Sequence, residues 1–184
     1  CPANRVLDAL AAQKGLTMDV DGILAASGKC INTLLTALNN QPYYQQAPPK
    51  SLVNEFGTNV LLPIIQSFNI SVEDALHTYI QHIIHQLHHA VVHLSNNTMP
   101  NTTQQMLVTG GGALNKYLIH QLQKKYATLN INTVVPDKNI VKYKEALIMA
   151  LLGILRWREE NTTLASVTGA TRSSIGGAVW RGPE

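Results

Sequence analysis

With 184 residues, 45% of them apolar, the chain can bury a substantial core, so one domain or two closely fused subdomains is expected and disorder is excluded. The formal net charge of +3 comes without any basic block, and the only adjacent lysines are Lys124 and Lys125. That distribution excludes the phosphate-neutralising surface of a nucleic-acid binder.

From Arg5 to Asn40 the pattern is helical: Val6, Leu7 and Leu10 share one face, followed by Ile23 and Leu24, then Ile31, Leu34, Leu35 and Leu38, with Gly15, Gly22 and Gly28 as punctuation. Prolines 42, 48 and 49 predict an irregular surface connection from Gln41 to Lys50. Ser71 and Asp74 have the form of a capping box opening a helix that runs to about Leu94. Its stripe of Leu76, Ile80, Ile83, Ile84, Leu87, Val91 and Leu94 should lie against the core along its whole length. After a polar loop from Ser95 to Gln104 the period changes. Met106-Leu107-Val108, the glycines 110–112, the amphipathic segment Leu114 to Tyr126 and the run Ile131 to Val135 predict a β-α-β unit with parallel strands. A last helix is expected from Lys144 to Glu160, before a tail rich in Gly, Ser and Thr from Leu164 to Trp180.

Glycine has no Cβ, so Gly110-Gly111-Gly112 between strand and helix lets the backbone pass close beneath a ligand, although a ligand-free tight turn fits the same residues. A nicotinamide-dinucleotide reading of residues 106–137 is a partial match: Asn115 stands where the third glycine belongs, and Asp137 lies beyond the usual spacing for an acid that grips a ribose. No Gly-Lys-Ser/Thr follows, which excludes a Walker loop. His82, His85, His89 and His93 recur at helical steps, as metal ligands would, but a helical wheel sets them opposite the Leu/Ile stripe. A solvated polar face is expected there, and no metal site. Glu145, at the head of the last predicted helix, reads either as a charge favoured by the helix dipole or as an acid at a cleft. Lys50 and Glu55 are placed to pair at the surface.

Cys1 and Cys30 stand far apart without Cys-x-x-Cys spacing, so free thiols in a reducing compartment are expected. The longest apolar run, Ala146 to Leu155, is about half the length a bilayer requires, and no charged-then-apolar leader opens the chain. A cytoplasmic protein with no membrane partner is expected, and in a chain this rich in Asn and Thr the Asn-x-Ser/Thr triplets at Asn69, Asn96, Asn101 and Asn161 are expected as chance matches.

Several blocks occur in order along nearly the whole chain. They are Pro2-Ala3-Asn4 with Leu7-Asp8-Ala9, Asp19-Val20-Asp21-Gly22 with Gly28-Lys29, and Pro42-Tyr43-Tyr44 with Pro48-Pro49-Lys50-Ser51. Gly110-Gly111-Gly112-Ala113 with Asn115, Glu145-Ala146 and Ser166-Val167-Thr168-Gly169-Ala170 complete the series. Together they resemble the anhydro-N-acetylmuramic acid kinases. The resemblance implies an α/β, helix-rich, ribonuclease-H-like lobe of the actin-like ATPase fold shared by actin, sugar kinases and heat-shock chaperones. By it, residues 1–184 are the C-terminal lobe of a two-lobed sugar kinase, with a helical part at about 5–95 and a β-α-β nucleotide-side part at about 105–184.

Members of that family hydrolyse the 1,6-anhydro ring while transferring the ATP γ-phosphate to the 6-oxygen, giving N-acetylmuramic acid 6-phosphate in cell-wall recycling, with Mg²⁺ as the usual counter-charge. The resemblance assigns Gly110, Gly111, Gly112 and Asn115 to the nucleotide, Asn4 to the segment near the sugar, and Glu145 to a family block. It places no catalytic residue in this chain. The aspartate expected to activate water precedes the Pro-x-Asn segment, upstream of Cys1, and the Gly-x-Met-Ser-Gly-Thr-Ser motif belongs to a missing N-terminal lobe. Cys1 stands where the family usually has glycine, and Asn54 near where arginine is common. Opening on Cys-Pro-Ala-Asn rather than Met, the chain reads as a fragment that is inactive alone. The expected partners are the amino sugar, ATP and the missing lobe, with a homodimer left open. The alternative is a non-catalytic kinase-like module that binds sugar or nucleotide.

Overall fold

The computed structural model describes residues 1–47, 50–53, 55–94, 102–180 and 182. The expectations resting on Pro48, Pro49, Asn54, the loop 95–101 with Asn96 and Asn101, and the side chain of Leu94 lie outside the described residues.

The organising element is α6 (Val72–Leu94), with Leu76, Tyr79 and Ile80 wholly removed from solvent. Removing such a side chain from water stabilises the fold by roughly 1.5–3 kcal/mol. Around it pack α1 (Asn4–Ala12), α2 (Ile23–Ser27), α3 (Asn32–Asn39) and α7 (Lys116–Ala127). The face of α1 that the spacing predicts, Val6, Leu7 and Leu10, is the face that is buried. A π-type turn, Gly57–Leu61, leads into α5 (Leu62–Ser67), and Leu61 and Ile65 join the same core.

Since α6 is clad on several sides, a single polar face does not survive along its length. The expectation of a solvated histidine face fails at His82, which is completely buried where α3 covers it, whereas His85, His89 and His93 are exposed. The apolar stripe also departs from expectation. It is buried through Ile84, but Leu87 is 38% exposed and borders open space instead of core.

The capping box forms by half. Ser71 Oγ accepts the Asp74 N–H at 3.1 Å, but the Asp74 carboxylate turns outward to accept the Lys29 N–H at 2.7 Å. That bond ties the Gly28-Lys29 turn to the first turn of α6. A Cβ on Gly28 would run into the Glu73 carbonyl, so the chain can cross here only as glycine.

The proline-rich connection is not irregular throughout. Pro42 occupies the first turn of a short helix, α4 (Pro42–Gln45), where its missing N–H leaves no helical bond unmade. The β-α-β unit forms as predicted. Strands β1 (Gln104–Leu107) and β2 (Ile131–Val134) pair in parallel, Met106 opposite Thr133, with α7 as the crossover. Leu118, Ile119, Leu122, Tyr126 and Ile131 belong to the same core cluster as the helices before them.

The following helix, α8 (Lys138–Trp157), starts earlier than expected because Asp137 caps it, its carboxylate accepting the Asn139 N–H at 2.7 Å. Glu145 therefore lies well inside the helix, beyond the turn where the dipole favours an acid. In the tail, Thr163 and Ser174 form an antiparallel bridge around α9 (Ala165–Thr168), and Gly169 closes that helix in the left-handed region at φ 74°.

Candidate functional site

The site begins where β1 ends. Val108 N–H still donates to the Val134 carbonyl at 2.9 Å, after which the chain leaves the sheet and turns at Gly110 with φ 82° and ψ −178°. Only glycine tolerates that conformation comfortably. A 3-10 turn, Gly111–Leu114, follows, and the Asn115 carboxamide oxygen caps α7 by accepting the Leu118 N–H at 2.9 Å. Thus Asn115, expected beside the nucleotide, uses its oxygen to start the helix that fixes the loop.

A second segment of the chain, the turn Val20–Gly22, supports the loop. Gly22 has φ +74°, and a Cβ there would come within 2.5 Å of Asn115 Oδ1 and of Tyr117 Cβ. The neighbouring Asp21 carboxylate pairs with Lys116 Nζ at 2.7 Å. The Asp19-Val20-Asp21-Gly22 block is therefore a seat for the start of α7. Asp19 also holds α2, its two carboxylate oxygens accepting the N–H groups of Leu24 and Ala25, each at 2.9 Å.

The remaining wall comes from the beginning of the chain. Tyr79 OH donates to the Pro2 carbonyl at 2.7 Å, and Pro2 packs on Gly57, where a Cβ would lie 2.9 Å from the Pro2 Cβ. So anchored, the segment delivers Asn4 to the glycine loop. A Cβ on Gly111 would collide with Asn4 Nδ2, and one on Gly112 would lie 3.6 Å from Asn4 Oδ1. An open cavity of about 540 Å³ adjoins this contact, lined by Asn4, Ile83, Leu87, Thr109, Gly111 and Gly112 among others.

The structure thus brings Asn4 together with Gly111 and Gly112, with Gly110 as the turn that presents them. Glu145 is not brought in; it is exposed on α8 and does not line this cavity. Asp137, the acid weighed for a ribose contact, is here the cap of α8. Among the described residues no group of three or more His, Cys, Asp or Glu is arranged to hold a metal ion, and no carboxylate lines the cavity. No helix among them is long and apolar enough to cross a membrane.

The chain matches the profile of the anhydro-N-acetylmuramic acid kinases over residues 1–182. It belongs to that family. Among its relatives, the anhydro-N-acetylmuramic acid kinase of Hydrogenovibrio crunogenus is 32% identical over 97% of this chain and 48% of its own length. That of Shewanella amazonensis is 33% identical over 96% of the chain and 47% of its own length. The kinase of Nitrosomonas europaea is 30% identical, again over 97% of the chain and 48% of its own length. The chain spans about half the length of the curated relatives it matches. Its helix-rich α/β fold with a small parallel sheet accords with an actin-like kinase lobe.

Two features of this family member escape a reading of the sequence. His82 Nδ1–H donates to Asn39 Oδ1 at 2.7 Å, an oxygen that also accepts from Gln86 Nε2 at 2.9 Å. An oxygen held by the Gln86 donor fixes the tautomer, leaving His82 Nε2 to accept the Tyr44 hydroxyl at 3.0 Å. Burial holds the imidazole neutral, its pKa lowered from 6.5 to about 3. The second feature is Lys50, which makes no pair with Glu55. Its ammonium donates to the carbonyls of Tyr43 and Tyr44, at 3.3 and 3.4 Å. The histidine spacing was the only sequence signal for the first; the second had none.

Proposed function

We propose that this chain is the C-terminal lobe of an ATP-dependent kinase that opens the anhydro ring of 1,6-anhydro-N-acetylmuramic acid with water and phosphorylates its 6-oxygen. The observation that supports this most strongly is the contact of Asn4 with Gly111 beside an open cavity. It joins the segment assigned to the sugar with the loop assigned to the nucleotide, and transfer between two substrates requires such a junction. Gly110, Gly111 and Gly112 pass beneath the adenosine, Asn115 fixes the loop from behind, and Asn4 reaches the sugar. The carboxylate that activates water, and the groups that hold Mg²⁺ with the phosphates, are supplied by the other half of a family-length protein.

The surface of α8 fits the same proposal. Leu147, Leu151, Ile154 and Trp157 are each more than half exposed, and Val141 is the residue of this helix that is buried. An apolar face of that kind marks a contact surface. The other half of the polypeptide is its proposed occupant, since the chain spans 48% of a relative's length.

The test is an assay with ATP and the anhydro sugar. The 184-residue chain gives no sugar phosphate and the family-length protein does. Turnover by the chain alone would refute the absence of the water-activating group. Nucleotide binding without turnover by the family-length protein would favour a non-catalytic binding module.

A further inference from the structure

A second cavity, of about 410 Å³, adjoins the first, with Cys1 and Leu87 lining both. Its walls include Tyr43, Tyr44, Lys50, His89 and His93, and among the described residues no carboxylate lines it. Lys50 Nζ sits 4.9 Å from the centroid of the Tyr43 ring and donates to two backbone carbonyls. An ammonium carries three donors and a full charge, and two long bonds to neutral carbonyls leave both unfilled. Among the described residues Lys50 takes part in no ion pair. The wall it stands on is anchored, because the Tyr44 hydroxyl is bound by buried His82, the Tyr44 ring meets those of Tyr43 and Phe56 edge-on, and Tyr43 meets Phe56 tilted. A cation without a counter-charge among the described residues, on the wall of a cavity that imidazoles and aromatic rings also line, is a site for an anion carried on a small organic molecule.

We infer that Lys50 forms a subsite for the anionic group of a substrate bound in the adjoining cavity, and that this group is the carboxylate of the muramic acid. The inference rests on the sugar-kinase reading above. A carboxylate on the sugar and a phosphate of the nucleotide share the chemistry that would occupy such a site. The sugar is favoured because the second cavity opens past Cys1, at the start of the segment that carries Asn4, rather than past the Gly110 turn.

The experiment is steady-state kinetics of the family-length protein and its Lys50→Met and Lys50→Arg variants. The substrates are 1,6-anhydro-N-acetylmuramic acid and 1,6-anhydro-N-acetylglucosamine, which lacks the lactyl carboxylate. K50M raises KM for the muramic sugar about tenfold, as loss of a charge-assisted contact should. The preference for the carboxylated sugar falls by the same factor, KM for ATP stays within about twofold, and K50R retains most of the preference. A rise confined to the ATP KM would assign the anion to the nucleotide and overturn the inference, as would an unchanged preference between the two sugars. If the wild-type protein turned over neither sugar, the sugar-kinase reading itself would fall.

Discussion

Acidification from roughly pH 7.5 to 4.5 should cost the fold about 2–3 kcal/mol through His82 alone. The imidazole titrates at about 3 in the folded protein against 6.5 when unfolded, because burial disfavours its charged form. With the folded value depressed, the unfolded state takes up the proton first. The stabilisation is therefore complete above about pH 6.5 and is lost as pH falls toward about 3, with a slope near 1.4 kcal/mol per pH unit between. Burial lowers the His85 and His88 values as well, adding a contribution of the same sign. His82→Gln isolates the one residue, since an amide can bridge Asn39 and Tyr44 without titrating. Urea unfolding followed by circular dichroism at a series of pH values should give wild-type and variant stabilities that converge by about 1.4 kcal/mol for each unit of acidification below pH 6. Parallel lines for the two proteins would show that His82 protonates freely in the folded state, and the buried network would be wrong.

Three further outcomes follow from the geometry. Gly110→Ala meets open space but an unfavourable backbone conformation, so it should destabilise the loop by about 1–3 kcal/mol, read as a lowered unfolding midpoint. Gly28→Ala drives a methyl into the Glu73 carbonyl and should cost about 1–3 kcal/mol, read from the same transition, whereas the equivalent change at Gly15, with nothing near its Cβ direction, carries only the strain of its φ of 74°. Leu151→Glu on α8 should change the stability of the isolated chain by less than about 0.5 kcal/mol while preventing co-purification with a separately expressed first half. If it instead abolished a concentration-dependent dimer of the chain in sedimentation, a second copy would be the occupant of that face.

The elements most legible in the sequence were those whose burial is one-sided. The apolar face of α1 and the β-α-β unit follow from periodicity, since α1, α7 and β2 each bury one face. His82 was misread because a helical wheel assumes one covered face, whereas α3 closes the opposite side of α6 at that level. The early start of α8 was hidden because its first turns bury Val141 alone and show no apolar stripe, so only the capping carboxylate of Asp137 marks them, and Glu145 was placed at the helix head as a result. In the site, the glycine loop was visible as composition, but its contact with Asn4 depends on the Tyr79 and Gly57 anchors of Pro2, a tertiary arrangement no local pattern encodes.

The contact between Asn4 and the glycine bend is tested most directly by a double-mutant cycle in the family-length protein. Asn4→Ala and Gly111→Ala should each raise the KM for the sugar, and the pair together should raise it little more than Asn4→Ala alone, because the added methyl acts by displacing that carboxamide. Fully additive effects would mean that the two positions act independently, and that the Asn4 segment and the glycine loop do not share a wall.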